Sequence, residues 1–273
     1  MGGLGSVKWR LLVQEASLSE QSIGIGLSYM RKANADHPGF YYGAFFNYTI
    51  GLERLMKLVM LVEHRVRVGE FPGSTDFKRT YGHDLEKLFE SVRAVRESAE
   101  QSNFQYELPS SPLVAVAMSA LADFAKFDRY HGLDVLTGSP KAKPLDPVAR
   151  WFEEIGRPFL AGRSQRHAQR DEEEGRLLDA LLGPFSHITA FSETGDRISA
   201  PGGLLVSKRE SEYVAKNGTF LCAAIVRYIV EVLYFLHLEA FRRGIGEIPW
   251  FADAFTVFYN DDRYLKARKT FHG

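Results

Sequence analysis

The segment TFLCAAIVRYIVEVLYFLHLEAF, residues 219–241, limits the folds open to this chain more than any other. It is long enough to cross a bilayer, yet Arg227, Glu231, His237 and Glu239 are spread along it, and each is expensive in hydrocarbon. It therefore reads as a helix buried in a protein core, with no membrane role. Residues 40 to 69 read as a second long helix, apolar nearly all round, the profile of a helix in the middle of a bundle. Two such helices in one chain predict an all-α protein, an antiparallel helical bundle with additional C-terminal helices packed on it.

The remaining punctuation agrees. Ser19, followed by apolar positions up to Met30, marks a first helix, preceded by an arm or expression remnant without a signal-peptide core. EFPGSTD reads as a loop, and a third helix runs from Asp84 to about Gln101. Ser111 with Pro112, and Asp146 with Pro147, are cap-and-proline starts for two more helices. HGLDVLTGSPKAKPLD between them is the clearest loop, and it divides an N-terminal bundle, residues 1–138, from a second helical half, 139–273, packed on it. The helix opened by Asp146 runs toward RSQRHAQRDEEEGR, either continuous with a break near Gly156 and Pro158 or as a mobile excursion. A short hairpin is expected around ETGD. A very long helix follows from SKRES, with an interruption expected at Asn217 and Gly218, and then one or two terminal helices.

Composition narrows the function classes. Lys+Arg and Asp+Glu stand at 34 each, so any nucleic-acid contact has to come from a local patch. Cys222 is the only cysteine and sits in an apolar run, which removes disulfide and thiolate-metal frameworks and fits a reducing, cytoplasmic setting. There is no Walker loop, no Gly-x-Ser-x-Gly elbow, no zinc-protease helix and no Glu-x-x-His pair for a di-metal bundle; no metal site and no cofactor are expected. GIGL near Gly24 is a glycine pair inside a helix rather than a phosphate loop.

One polar constellation stands out. On GLERLMKLVMLVEHRVRVG, the residues Glu53, Lys57 and His64 fall within about 40° of each other on the helical wheel, a polar stripe on a greasy helix. A stripe of this kind needs partners, and His83 and Asp84 at the start of the next helix are candidates. The same residues also fit a structural account: a favourable i,i+4 ion pair at Glu53 and Lys57, and a helix-start acid at Asp84. Arg163, Arg166 and His167 in GRSQRHAQR form a second basic strip, open to phosphate contact or simply solvated.

GLERLMKLVMLV followed by YGHDLEKLF resembles the paired signature of HEPN-superfamily helical bundles, whose long second helix carries a Glu and a Lys a turn apart and whose next helix opens on a Gly-His-Asp-Leu type sequence. FAKFDRYHGLD resembles the RY-x-x-L-D segment of bacterial proteins that share this bundle. The resemblance covers residues 40 to 136. It implies a small bundle, often dimeric, used in toxin–antitoxin, CRISPR-linked and phage-defence systems, with many members acting as metal-independent ribonucleases and degenerate members holding a partner protein, here one from the same operon. Catalytic members carry an Arg and a His with four to six residues between them. Arg79 and His83 have three between them, Arg163 and His167 three, Arg129 and His131 one, and Arg227 and His237 nine, so the family's catalytic pair is expected to be missing. Cleavage of RNA would then fall to residues gathered by the fold, with His83 and His131 as acid or base and Arg129 as phosphate clamp. The alternative is a non-catalytic helical scaffold. The all-round apolarity of residues 40–62 and 219–241 further predicts self-association, most simply as a homodimer.

Overall fold

The structure is a computed structural model that describes residues 5–99, 104–140 and 143–271. Helix α1 spans Val7–Met30, capped by Ser6, whose hydroxyl accepts from the Trp9 N–H at 3.2 Å. The expected N-terminal arm is thus helix from Val7 onward. Ser19 starts nothing: it lies inside α1 and donates to the Glu15 carbonyl at 2.8 Å. The apolar spacing explains the difference, because Leu12 and Ala16 continue the buried face of Ile23 and Leu27.

Helix α2, Gly39–Val68, ends at Gly69 in a left-handed φ of 95°. It lies antiparallel to α1, as Glu15 meets Arg54, Ile23 meets Gly51, and Gly26 meets Tyr48. The two backbones nearly touch. A Cβ at Gly26 would stand 2.6 Å from the Tyr48 nitrogen, and one at Gly51 would stand 2.7 Å from the Ile23 nitrogen. Gly26 of the GIGL stretch therefore serves helix packing, as a glycine inside a helix rather than in a phosphate loop.

After α2 the stretch read as a loop gives way to a short helix, α3, Ser74–Tyr81, with Asp76 in its first turn and Lys78 and Arg79 in its last, in accord with the helix dipole. Helix α4, Leu85–Ser98, is capped by Asp84; the expected end at Gln101 lies outside the described residues. Helix α5, Leu113–Lys126, opens where expected, with the Ser111 hydroxyl accepting from the Leu113 N–H at 3.2 Å. A 3-10 turn, Asp128–Tyr130, leads into α6, His131–Leu136, so the expected loop is helical in its first third. Tertiary bonds to His131, described below, supply what the Gly-containing sequence lacks. Residues 141–142 of that stretch lie outside the described ones.

Asp146 accepts from the Val148 N–H at 2.8 Å and opens α7, Pro147–Trp151. The break near Gly156 and Pro158 is a π turn, Phe152–Gly156, followed by α8, Arg157–Ala161, and then α9, Gln165–Leu182. The expected hairpin is present: β1, Ala190–Phe191, pairs antiparallel with β2, Arg197–Ile198, with Ala190 opposite Ile198.

Helix α10, Pro201–Arg242, runs uninterrupted for 42 residues. The expected break at Asn217 and Gly218 does not occur, because the Asn217 amide donates to the Tyr213 carbonyl within the helix and Gly218 makes room for the Trp151 ring. The most apolar part of α10 is 83% buried within the chain, consistent with the core-helix reading of residues 219–241. Its buried charged and polar side chains find partners within the chain, although Arg227 Nε itself is buried without one. Arg227 pairs with Asp262 at 2.6 Å, Glu231 with Arg96 at 2.8 Å, and His237 Nδ1 meets the Pro249 carbonyl at 2.8 Å. The chain closes with turns that bury Phe251, Phe255 and Phe258, then α11, Asp262–Ala267.

Helix α10 packs on α1, α2, α4, α5 and α9, and one continuous core includes residues on both sides of position 138. The Tyr48 hydroxyl donates to the Cys222 carbonyl at 2.9 Å, and the Phe45 and Trp151 rings sit 5.2 Å apart. The fold is all-α, and the apolar faces expected to drive self-association are largely covered by the chain itself. Phe46 on α2 and Phe241 at the end of α10 stay exposed, and further exposed apolar side chains include Leu133 and Leu136 on α6 and Leu177, Leu181 and Phe185 on and after α9.

Candidate functional site

The half-buried polar edge of α2 forms one wall of a cleft of about 860 Å³. Glu53, Arg54 and Lys57 come from α2, Glu15 from α1, Phe77 from α3, His83 from the α3–α4 turn, and Lys126, Phe127 and Arg129 from the end of α5 and the turn beyond it. Ile50, Leu58, Leu61 and Ala125 supply the apolar remainder.

The stripe geometry on α2 places Glu53 as the hub. Its Oε1 accepts from Lys57 Nζ at 2.7 Å and lies 2.9 Å from His83 Nδ1. Gly82, at a φ of 49°, turns the chain so that His83 reaches back to α2. With Glu53 ionised, Nδ1–H is the donor, so the proton-accepting lone pair falls on Nε2. The ring is 86% exposed, which leaves Nε2 accessible from the cleft side of the protein surface. A carboxylate that fixes one ring nitrogen while the other stays open is the arrangement a general base needs.

Of its two expected parts Asp84 takes the structural one, the helix-start acid, and does not partner the α2 stripe. It caps α4, accepting from the Lys87 N–H at 3.1 Å, and pairs with Lys126 at 3.0 Å. The Lys87 N–H, followed by Lys126, holds its carboxyl below the usual range. Asp84 thereby ties the start of α4 to the end of α5 and sets the position of the Lys126–Arg129 wall.

Arg129 is exposed and stacks over the Phe46 ring at 5.3 Å, with no carboxylate partner among the described residues. Arg54 pairs with Glu15, Lys57 with Glu53 and Lys126 with Asp84, so Arg129 is the lining cation left without a carboxylate partner among the described residues. The cleft attracts anions, and the exposed Phe127 ring beside it offers a stacking face.

The structure separates His131 from this group. Its side chain is only 10% exposed, its Nε2 meets the Lys143 carbonyl at 3.0 Å, and its Nδ1 lies 3.8 Å from Asp146. It belongs to an ion network in which Lys143 and Arg150 bridge to Asp123 and Lys143 also reaches Asp128. Burial raises the Asp128 carboxyl above its ordinary range despite Lys143. His131 therefore anchors the loop before α7. His64 is also apart, bonded to the Glu70 carbonyl at 2.8 Å.

Arg163, Arg166 and His167 lie outside the cleft as well. Arg163 pairs with Asp171 and lies 5.4 Å from the Tyr213 ring, whereas Arg166 and His167 sit exposed on α9. Among the described residues, no group of three or more His, Cys, Asp or Glu side chains gathers as a metal-binding cluster.

Two features escaped the sequence reading. Lys126, the last residue of α5 and three positions before the anticipated Arg129, stands beside Phe127 in plain sequence, whereas the Arg54–Glu15 pair at 2.6 Å spans two helices and leaves no local signal. The expectation that no Arg–His pair has the HEPN spacing is also incorrect, since Arg31 and His37 have five residues between them. Arg31 caps the end of α1 and lines a second groove; His37 lies in the turn before α2, with Nδ1 3.3 Å from the Asn34 side-chain oxygen, and does not line that groove. Comparison of the chain with family models, with curated proteins and with solved structures gives no match.

Proposed function

We propose that this is an RNA-directed protein of the HEPN-like kind, acting in a defence or toxin–antitoxin setting, and that the cleft between α2, the α3–α4 turn and the end of α5 is its metal-independent ribonuclease site. One observation carries the reading: a carboxylate-held, accessible imidazole at His83 and an arginine without a counter-ion at Arg129 line the same cation-rich cleft. In the reaction His83 Nε2 takes the proton of a 2′-hydroxyl, the 2′-oxygen attacks phosphorus, and the bond from phosphorus to the 5′-oxygen breaks. The leaving oxygen takes a proton from solvent, and the products are a 2′,3′-cyclic phosphate and a 5′-hydroxyl. Arg129 and Lys126 stabilise the charge that gathers on the phosphoryl oxygens, and Phe127 stacks a base.

Incubation with total RNA and with tRNA, in the presence and absence of EDTA, tests this. Cleavage should persist in EDTA, because no step of the proposed reaction uses a metal ion, and the products should end in cyclic phosphate. Intact RNA in both conditions would replace this reading with the second one, a non-catalytic scaffold. The exposed Leu177, Leu181 and Phe185 along one end of α9 favour that alternative as a partner-protein surface.

A further inference from the structure

A second concavity, of about 680 Å³, opens where the end of α1, the α8–α9 junction, the first third of α10 and the C-terminal segment meet. Six of its lining residues are cations and one, Glu212, is a carboxylate. Two of the six are already engaged, since Arg163 and Arg209 both bind Asp171 and Arg209 also binds Glu174. Arg31, Lys32, Lys216 and Lys269 have no carboxylate partner among the described residues.

Arg31 is the most telling of them. Its Nε is buried without a hydrogen-bond partner, and burial depresses its pKa against the distant attraction of Glu212. A half-buried guanidinium without a paired anion is costly. The helix dipole accounts for basic residues at the end of α1, which fits Arg31 and Lys32. It does not account for Lys216, inside α10, or for Lys269, brought in from the far end of the chain.

We infer that this groove binds the linear phosphoanhydride chain of a nucleoside triphosphate or an inorganic polyphosphate. The four uncommitted cations against Glu212 leave an excess of three positive charges in one concavity, which matches a compact ligand bearing three to four negative charges. An RNA strand would spread the same charge over several nucleotides, whereas the uncommitted cations here converge on one concavity. The site is independent of the RNA cleft, since it shares no lining residue with it.

Calorimetric titration of the full chain with ATP, GTP, tripolyphosphate and AMP tests the inference. ATP, GTP and tripolyphosphate should bind, AMP should bind at least tenfold more weakly, and added salt should weaken all of them. Equal affinity for tripolyphosphate and ATP identifies the phosphate chain as the whole recognition element, whereas tighter ATP binding adds the nucleoside. The surface variants Lys216→Glu and Lys269→Glu should each lower affinity at least tenfold, and His83→Ala should leave it unchanged. Absence of binding, AMP binding as tight as ATP, or full affinity in both lysine variants would overturn it. RNA that binds in place of triphosphates and is lost in the Lys216→Glu variant would also overturn it. None of these readouts depends on cleavage, so the ribonuclease reading can fail while this one stands.

Discussion

Replacing His83 by alanine should lower the rate of RNA cleavage by about 10²-fold or more, the usual loss for a general acid–base group. His83 is a turn residue whose side chain is 86% exposed, so its removal leaves the core intact. The same variant should bind RNA nearly as well as wild type, because the anion-attracting charge resides in Lys126, Arg129 and Lys57. Glu53→Gln keeps the side-chain shape and removes the charge that fixes Nδ1–H, and should lower turnover without abolishing it. Arg129→Ala should reduce both turnover and binding. His131→Ala is the control: its contacts are to Lys143 and Asp146, so cleavage per folded molecule should stay at the wild-type rate. If His37→Ala abolished cleavage while His83→Ala did not, the chemistry would move to the turn between α1 and α2, where the Arg31–His37 spacing falls.

The second large effect concerns stability. Glu231→Ala should destabilise the fold by about 3–5 kcal/mol, the range for breaking a buried ion pair by removing one partner. Arg96 and Glu231 are each buried, with side chains 6% and 5% exposed, and meet at 2.8 Å. Glu231 also accepts from the backbone N–H of Tyr106 at 3.1 Å and from that of Gln105, while Arg96 lies between the Phe104 and Tyr228 rings at 3.9 and 4.3 Å. The pair therefore fastens the strap of residues 104–107 onto α4 and α10. Without Glu231 the guanidinium keeps only Glu107, which is 76% exposed, and the Tyr106 carbonyl. Urea denaturation measures the loss. The Arg96→Met, Glu231→Leu double variant should recover much of it, since apolar replacement of both partners avoids the stranded charge. A Glu231→Ala cost below about 1 kcal/mol would place the pair among exposed bridges, whose worth is that small.

Features written in local sequence were legible. The i,i+4 spacing of Glu53 and Lys57 put both on one edge of α2, and Asp84 preceding an apolar run marked a cap, as did Ser111 with Pro112 and Asp146 with Pro147. The approach of His83 to Glu53 followed from the need of a polar stripe for partners. What stayed hidden depends on contacts between distant segments. Helix α6 looked like a loop because Gly132 and the turn formers after Leu136 dominate its surroundings, while the bonds of His131 to Lys143 and Asp146 form only in the folded chain. The pairing of Asp84 with Lys126 sent that acid away from the cleft, and nothing near Asp84 announces it. The continuity of α10 through Asn217 and Gly218 likewise depends on the Trp151 ring, which arrives from the middle of the chain. The Arg31–His37 interval is plain in the sequence, whereas the meeting of Arg31 with Lys216 and Lys269 requires the fold.

The claim that the cleft between α2, the α3–α4 turn and the end of α5 receives RNA is tested most directly by photocrosslinking. A single-stranded RNA carrying 4-thiouridine, irradiated with the full-length protein and mapped by mass spectrometry, should crosslink within residues 77–83 and 125–129, around Phe77, His83 and Phe127, and charge reversal at Arg129 should abolish those crosslinks. Crosslinks confined to other surfaces, or none at all with RNA in excess, would contradict it.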